Sequence, residues 1–220
     1  MTTIFTRTIH CAVCGAPNDV TLIGSTNTMG PPDLDTRPAE MQRSTMPLWL
    51  QECGGCGFIA RDLQRPHAGT DERLRSEAYK AQRHAEYPEL ANRFLCAAML
   101  LEGTWATAGA FWNVMAAAWA CDDAGRDDLA QRCRLKAIEL HAASTEPIAK
   151  QDGVSDLVLA DLLRRTSQFE KVADVVRRGL EFAEPFVATG LRQELSLASA
   201  GDAGGVTSPW TSRGSSSGGS

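Results

Sequence analysis

Four of the seven cysteines form two pairs of one type, Cys11-Ala-Val-Cys14-Gly15 and Cys53-Gly-Gly-Cys56-Gly57. Two cysteines three apart let a tight turn aim both sulfurs at one point while backbone N–H groups of the turn face the thiolate. The glycine that follows supplies the left-handed backbone such a turn needs. Two turns of this kind together make a tetrahedral four-thiolate site, and Zn²⁺ is the ion expected at Cys11, Cys14, Cys53 and Cys56. With four protein ligands the site has no open coordination position, so the expected role of the metal is structural. Iron takes the same sulfur set. A Cys-Gly-Gly-Cys redox disulfide is a third reading; it needs its first cysteine at a helix N-terminus, whereas Gly-Phe-Ile-Ala after Cys56 reads as a strand. His10 adjoins Cys11 and is expected as a neighbour of a shell that four sulfurs complete.

A second group of chemically capable residues lies between the pairs. Asp33, Asp35, Arg37, Glu40 and Arg43 are crowded into a stretch punctuated by Pro31, Pro32, Pro38 and Pro47. Loops of this length are uncommon inside compact domains unless they serve a function. Internal ion pairs that tie the crossover down are the first reading, with the prolines limiting its freedom. A binding site is the second, with Asp33, Asp35, Arg37 and Arg43 as candidates, because arginines hold a carboxylate or phosphate bidentately. Catalysis by paired aspartates is the third, and no His, Ser or Cys nucleophile sits with them in an identifiable arrangement, so no catalytic residue is assigned. Cys96, Cys121 and Cys133 sit among apolar residues at helical spacing and read as buried small hydrophobes.

These groups must be positioned by a chain of 220 residues, 43% hydrophobic, which is enough to bury a core. Its 22 Lys and Arg against 27 Asp and Glu give no basic field for nucleic acid or anionic lipid. Residues 1–65 alone carry five Arg (7, 37, 43, 61, 65) against six acids (19, 33, 35, 40, 52, 62), and a four-thiolate centre adds negative charge, so nucleic acid is not favoured. The opening MTTIFTRTIHC has neither leader pattern, and no window is apolar enough for a membrane span. A reducing, cytoplasmic setting is expected, where paired cysteines favour metal over disulfides.

Three zones follow, at 1–65, 66–198 and 199–220. The first is metal-binding, with short apolar runs at 20–23, 48–50 and 58–60 expected as strands. The second is helical: Leu90, Phe94, Ala97 and Leu101 share one face, as do Phe111, Met115, Ala118 and Trp119, and Leu129, Cys133, Ala137 and Leu140. Breaks at 102–105, 124–126, 146–147, 152–153 and 166–168 separate five helices, with a further one around 70–83. Pro88 suits a first helical turn. The third zone is Ser and Gly with few apolar groups and is expected to be disordered, Trp210 being a lone aromatic within it. Aligning 158–182 with 94–119 sets Phe169 opposite Trp105, Leu159 with Leu95, Leu163 with Met99, Val172 with Ala108 and Val176 with Trp112. This helix–turn–helix likeness resembles tetratricopeptide repeats, although two degenerate units point to a compact bundle rather than a solenoid. The fold class expected is therefore α+β, a small zinc-ribbon-like β part followed by a mainly α-helical tetratricopeptide-like bundle.

CAVCG, residues 24–46, WLQECGGCGF (49–58), YPELANRFLCAAMLLE (87–102) and AAWACDDAG (117–125) together resemble a bacterial family of unknown function with a two-CxxCG zinc-ribbon-like N-terminus and tetratricopeptide-like helices. The resemblance spans about residues 10–185. It implies the metal and the two-part architecture, and no reaction. The function expected is a zinc-binding protein whose helices bind another protein; the rival is an enzyme or phospho-ligand binder built on Asp33, Asp35 and Arg37.

Overall fold

A computed structural model describes residues 2–104 and 106–206. The readings placed on Trp105, on Trp210 and on the Ser/Gly stretch from residue 207 lie outside the described residues. Small antiparallel strands occupy the N-terminal part, and helices make up most of the rest.

Strands β1 (Thr3–His10) and β2 (Pro17–Ser25) pair antiparallel, with Phe5 opposite Leu22 and His10 opposite Pro17. Two much shorter strands, β3 (Gln51–Glu52) and β4 (Ile59–Ala60), pair in the same sense. The run at 48–50 is not the expected strand. Pro47 sits second in a 3₁₀ turn over Met46–Leu48, and Trp49 Nε1 donates to Thr45 Oγ1 at 2.9 Å, so the extended chain begins only at Gln51. β1 was not legible as a strand of this length, since its only buried residue is Ile9 and its alternation has no core to face.

The chain divides by contact into two compact units, differently from its division by composition. One comprises the chain to Asn27 with Ser44–Lys150; the other comprises Thr28–Arg43 with the chain from Gln151 onward.

In the first unit, α2 (Thr70–Arg75), α3 (Glu77–Arg83), α4 (Glu89–Met99), α5 (Thr107–Asp123) and α6 (Asp127–Ala143) follow the strands. Ser76 caps α3, its hydroxyl accepting from Tyr79 N at 3.2 Å. Pro88 stands just before α4 as its cap. The core gathers Phe94, Phe111, Met115, Trp119 and a run of alanines, which let α4, α5 and α6 approach closely. The cysteine-bearing part is joined to these helices by hydrogen bonds. Tyr79, 1% exposed, donates its hydroxyl to Gly57 O at 2.8 Å, and Arg93 Nη2 donates to Leu50 O at 2.7 Å.

In the second unit, a short α1 (Glu40–Arg43) belongs to the charged loop, and α7 (Val154–Arg165), α8 (Phe169–Leu180) and α9 (Pro185–Ser199) pack on one another. Val158, Leu162, Val172, Val176, Val187 and Leu191 form its core, and Leu34 from the loop is buried in this unit too. Gly179 is required by close approach: a Cβ there would lie 2.8 Å from Asp156 Cβ and 3.0 Å from Leu191 Cδ1. The first residues of the Ser/Gly zone are held in place, because Arg164 Nη1 donates to Asp202 O at 2.9 Å and to Gly204 O at 2.6 Å.

Candidate metal centre

The two cysteine pairs lie on two turns built alike. In the first, Cys11 N donates to Ala16 O at 2.9 Å and Gly15 N to Cys11 O at 2.8 Å; in the second, Cys53 N donates to Phe58 O at 2.8 Å and Gly57 N to Cys53 O at 2.9 Å. Gly15 and Gly57 take φ of 76° and 73°, the left-handed conformation that their position after the second cysteine predicts. Within each turn the first cysteine's sulfur accepts backbone N–H groups, from Val13 and Cys14 in one and from Gly55 and Cys56 in the other. β1 and β2 flank the first turn and β3 and β4 the second, so each pair is set by a local hairpin.

All four sulfurs lie within 4.8 Å of one another, a group able to hold a metal ion. Cys11 Sγ is 3.8 Å from Cys56 Sγ, and Cys14 Sγ is 3.5 Å from Cys53 Sγ. A tetrahedron with metal–sulfur bonds of about 2.3 Å has edges of about 3.8 Å, so the cluster has the dimensions of a four-thiolate site. The cysteines are not disulfide-bonded. Cys56 is followed by β4 and not by a helix, so the environment of a redox-active Cys-x-x-Cys is lacking there. His10 directs Nδ1 at Gly15 O, 3.2 Å away, and lies outside the sulfur group, as a neighbour would.

Burial raises the pKa of Cys11 and Cys56. At Cys53 burial pushes in the same direction, but the N–H groups of Cys56 and Gly55 and the hydrogen bonds from Cys14 and Cys11 outweigh it and bring the thiol to about 6. Four sulfurs at this spacing cannot all be thiolates without a cation among them, which is the condition a divalent metal satisfies.

Several residues around the sulfurs were not singled out by their sequence context. Asn18, on β2, donates Nδ2 to Cys53 Sγ at 3.6 Å and to Ala16 O at 2.8 Å, while its Oδ1 accepts Gly54 N at 3.0 Å. One amide thus links both turns. Gly55 lies where the turns touch: a Cβ there would meet Ala16 Cβ at 2.9 Å and Cys14 Sγ at 3.3 Å. Arg83 packs its guanidinium over Gly57 and pairs with Glu52 at 3.0 Å, placing positive charge beside the sulfur cluster. An asparagine seven residues after the first cysteine is the only sequence signal any of these leaves.

The charged loop belongs to the second unit and is largely occupied with itself. Arg43 Nη2 pairs with Asp33 Oδ2 at 2.7 Å and Arg43 Nε donates to Pro38 O at 3.0 Å. Thr36 adopts φ of 64°, Asp33 N donates to Arg37 O at 2.9 Å, and Arg37 N donates to Asp35 Oδ1 at 3.1 Å, which closes the loop on its own backbone. Asp35 and Arg37 are 4% and 7% exposed, and Arg165 of α7 lies 3.6 Å from Asp35. Of the four candidate binding residues, Asp33 and Arg43 meet directly, whereas Asp35 turns inward to α7. Burial raises the pKa of Asp33, opposed by Arg43.

No family description, curated protein or solved structure matches this chain.

Proposed function

We propose that Cys11, Cys14, Cys53 and Cys56 hold one Zn²⁺ as a structural centre, and that the protein serves in the cytoplasm as an interaction or scaffold module whose helices bind another protein. The observation that carries the reading is the convergence of four sulfurs within 4.8 Å from two turns of the same construction. A structural role fits because four protein ligands fill the shell, and because the zinc would close a region otherwise short of apolar core. The resemblance to a bacterial zinc-ribbon and tetratricopeptide-like family agrees with this arrangement.

The interaction role draws support from apolar side chains left at the surface of the second unit. Phe182 is 68% exposed after α8, and Phe186 and Leu195 are exposed on α9. The rival reading, a ligand or catalytic site at Asp33, Asp35 and Arg37, draws less support, since Asp35 and Arg37 are buried and Asp33 is paired with Arg43. Elemental analysis of the purified protein tests the metal, with one zinc per chain expected and none after Cys53→Ala. Capture of partners by the intact protein and by a Phe182→Ser, Phe186→Ser variant tests the module. Identical capture by both would sink that surface, and saturable binding of a small anion abolished by Arg37→Ala would favour the rival.

A further inference from the structure

The chain turns back on the second unit after α9. Gly201 takes φ of 69°, and Asp202 N donates to Leu197 O at 3.0 Å. Asp202 O and Gly204 O then converge on a single donor, Arg164 Nη1, at 2.9 and 2.6 Å, so the segment curls. Asp202 Oδ1 accepts Gly204 N at 2.7 Å and closes the curl as an Asx turn. Two residues on, Val206 O accepts Leu34 N of the charged loop at 3.3 Å. The receiving side is built from within. Arg164 is fully buried and fixed by two acids, Nε donating to Glu194 Oε2 and Nη2 to Asp161 Oδ1, which leaves Nη1 for the segment. Small residues are required on the side received: a Cβ at Gly204 would lie 2.9 Å from Asp202 Oδ1, and one at Gly205 would lie 3.3 Å from Arg165 Nη2. The site thus selects an aspartate, any residue and two glycines. Its present occupant is fastened lightly. Asp202, Gly204 and Gly205 are exposed and Ala203 and Val206 half-buried, so main-chain bonds hold the segment with no buried side chain, and such segments open at low cost.

We propose that Arg164, Arg165 and Leu34 form a receptor for an Asp-x-Gly-Gly turn, that residues 202–206 occupy it as a built-in competitor, and that a partner protein presenting such a turn displaces them. The proposal rests on the interaction reading given above and supplies a recognition element for it, through residues other than Phe182 and Phe186. Tethering places the chain's own segment at an effective concentration on the order of millimolar, so weak ligands are kept out. A partner that carries the turn on a folded surface adds contacts beyond it and overcomes this competition. A second copy brings only the same segment, already engaged in its own site, and an exchange between copies gains no bond.

The test uses the full chain and a fluorescent, C-terminally amidated peptide of sequence Gly-Asp-Ala-Gly-Gly-Val, that of residues 201–206. Asp202→Ala with Gly205→Val, both at exposed positions of the segment, should empty the site: the Leu34 amide exchanges faster, and the peptide binds saturably and at least about tenfold more tightly than to the parent. Bound peptide should restore protection at Leu34. Peptides carrying either substitution should bind about tenfold more weakly than the original. The parent should rank the three peptides in the same order at higher concentration, so a variant that folds poorly leaves the test standing. The proposal is overturned if parent and variant bind the peptide equally, if the variant does not bind it, or if the altered peptides bind as well as the original. Concentration-dependent dimers of the parent that the variant does not form would put a second copy's segment in the site and overturn the assignment to a partner. Phe182 and Phe186 take no part in the peptide measurement, so its failure and that of the apolar surface are read separately.

Discussion

Asn18 donates its side-chain amide to Cys53 Sγ at 3.6 Å while accepting Gly54 N at 3.0 Å, and so joins the first cysteine turn to the second through one residue. Hydrogen bonds to ligand atoms orient them and tune the metal. Asn18→Leu keeps the volume and removes the bonds, so zinc affinity should fall by about 10- to 100-fold. Competition against a chelator of known affinity measures this, and an unchanged affinity would show that the amide is incidental.

The two turns also differ in what their glycines do. Gly15 has nothing within 4 Å of a built Cβ, so Gly15→Ala meets only the left-handed strain, about 1–2 kcal/mol. Gly55→Ala instead drives a methyl into Ala16 and Cys14 Sγ and costs about 1–3 kcal/mol. We expect Gly55→Ala to lower zinc affinity and Gly15→Ala to lower stability with affinity retained. Equal effects on affinity would contradict the contact at Gly55.

Removing the metal should be felt beyond the strands. Tyr79 of α3 donates to Gly57 O and Arg83 packs on the same glycine, so the second turn and α3 share a buried contact. Amide exchange after chelation, or in Cys53→Ala, should lose protection at 11–16, at 53–58 and in α3, while α7 and α8 keep theirs. Tyr79→Phe leaves Gly57 O without its buried partner and should cost about 1–3 kcal/mol. Protection lost evenly along the whole chain would contradict a local role for the metal.

The second unit contains a buried charge cluster with a pH signature. Arg164 is fully enclosed and donates Nε to Glu194 Oε2 at 2.5 Å and Nη2 to Asp161 Oδ1 at 2.8 Å, while Asp161 Oδ2 has no hydrogen-bond partner among the described residues. Burial, with Glu194 and Asp35 adding repulsion, raises the pKa of Asp161 well above the usual carboxylate range. A carboxyl raised in the folded state holds its proton there longer than in the unfolded chain. Its stabilising contribution is complete below the unfolded value near 4 and is lost as pH rises toward the folded value. Asp161→Asn should therefore raise Tm at pH 8 relative to the parent and flatten the decline between pH 5 and 8. Glu194→Ala, which strips Arg164 of its main counter-ion, should cost about 3–5 kcal/mol. A parent Tm that rises through this window would contradict the assignment to Asp161.

What the sequence alone determined is what short range can encode. Cysteines three apart followed by glycine dictate a turn, because the hydrogen bonds and the positive φ involve only neighbours. The apolar spacing of Phe111, Met115 and Trp119, like that of Val172 and Val176, sets helix faces for the same reason. The tertiary structure decided which distant groups meet. Nothing in the loop's composition says that Leu34 is buried and Asp35 turns inward beside α7–α9, since ion pairing in water and in a core look alike in a sequence. Trp49 and its neighbours read as a strand until Pro47 and the bond to Thr45 favour a 3₁₀ turn. Asn18 beside Cys53 and Tyr79 beneath Gly57 depend on how hairpins and helices pack, and packing is a property of surfaces brought together, which no local pattern of residues carries.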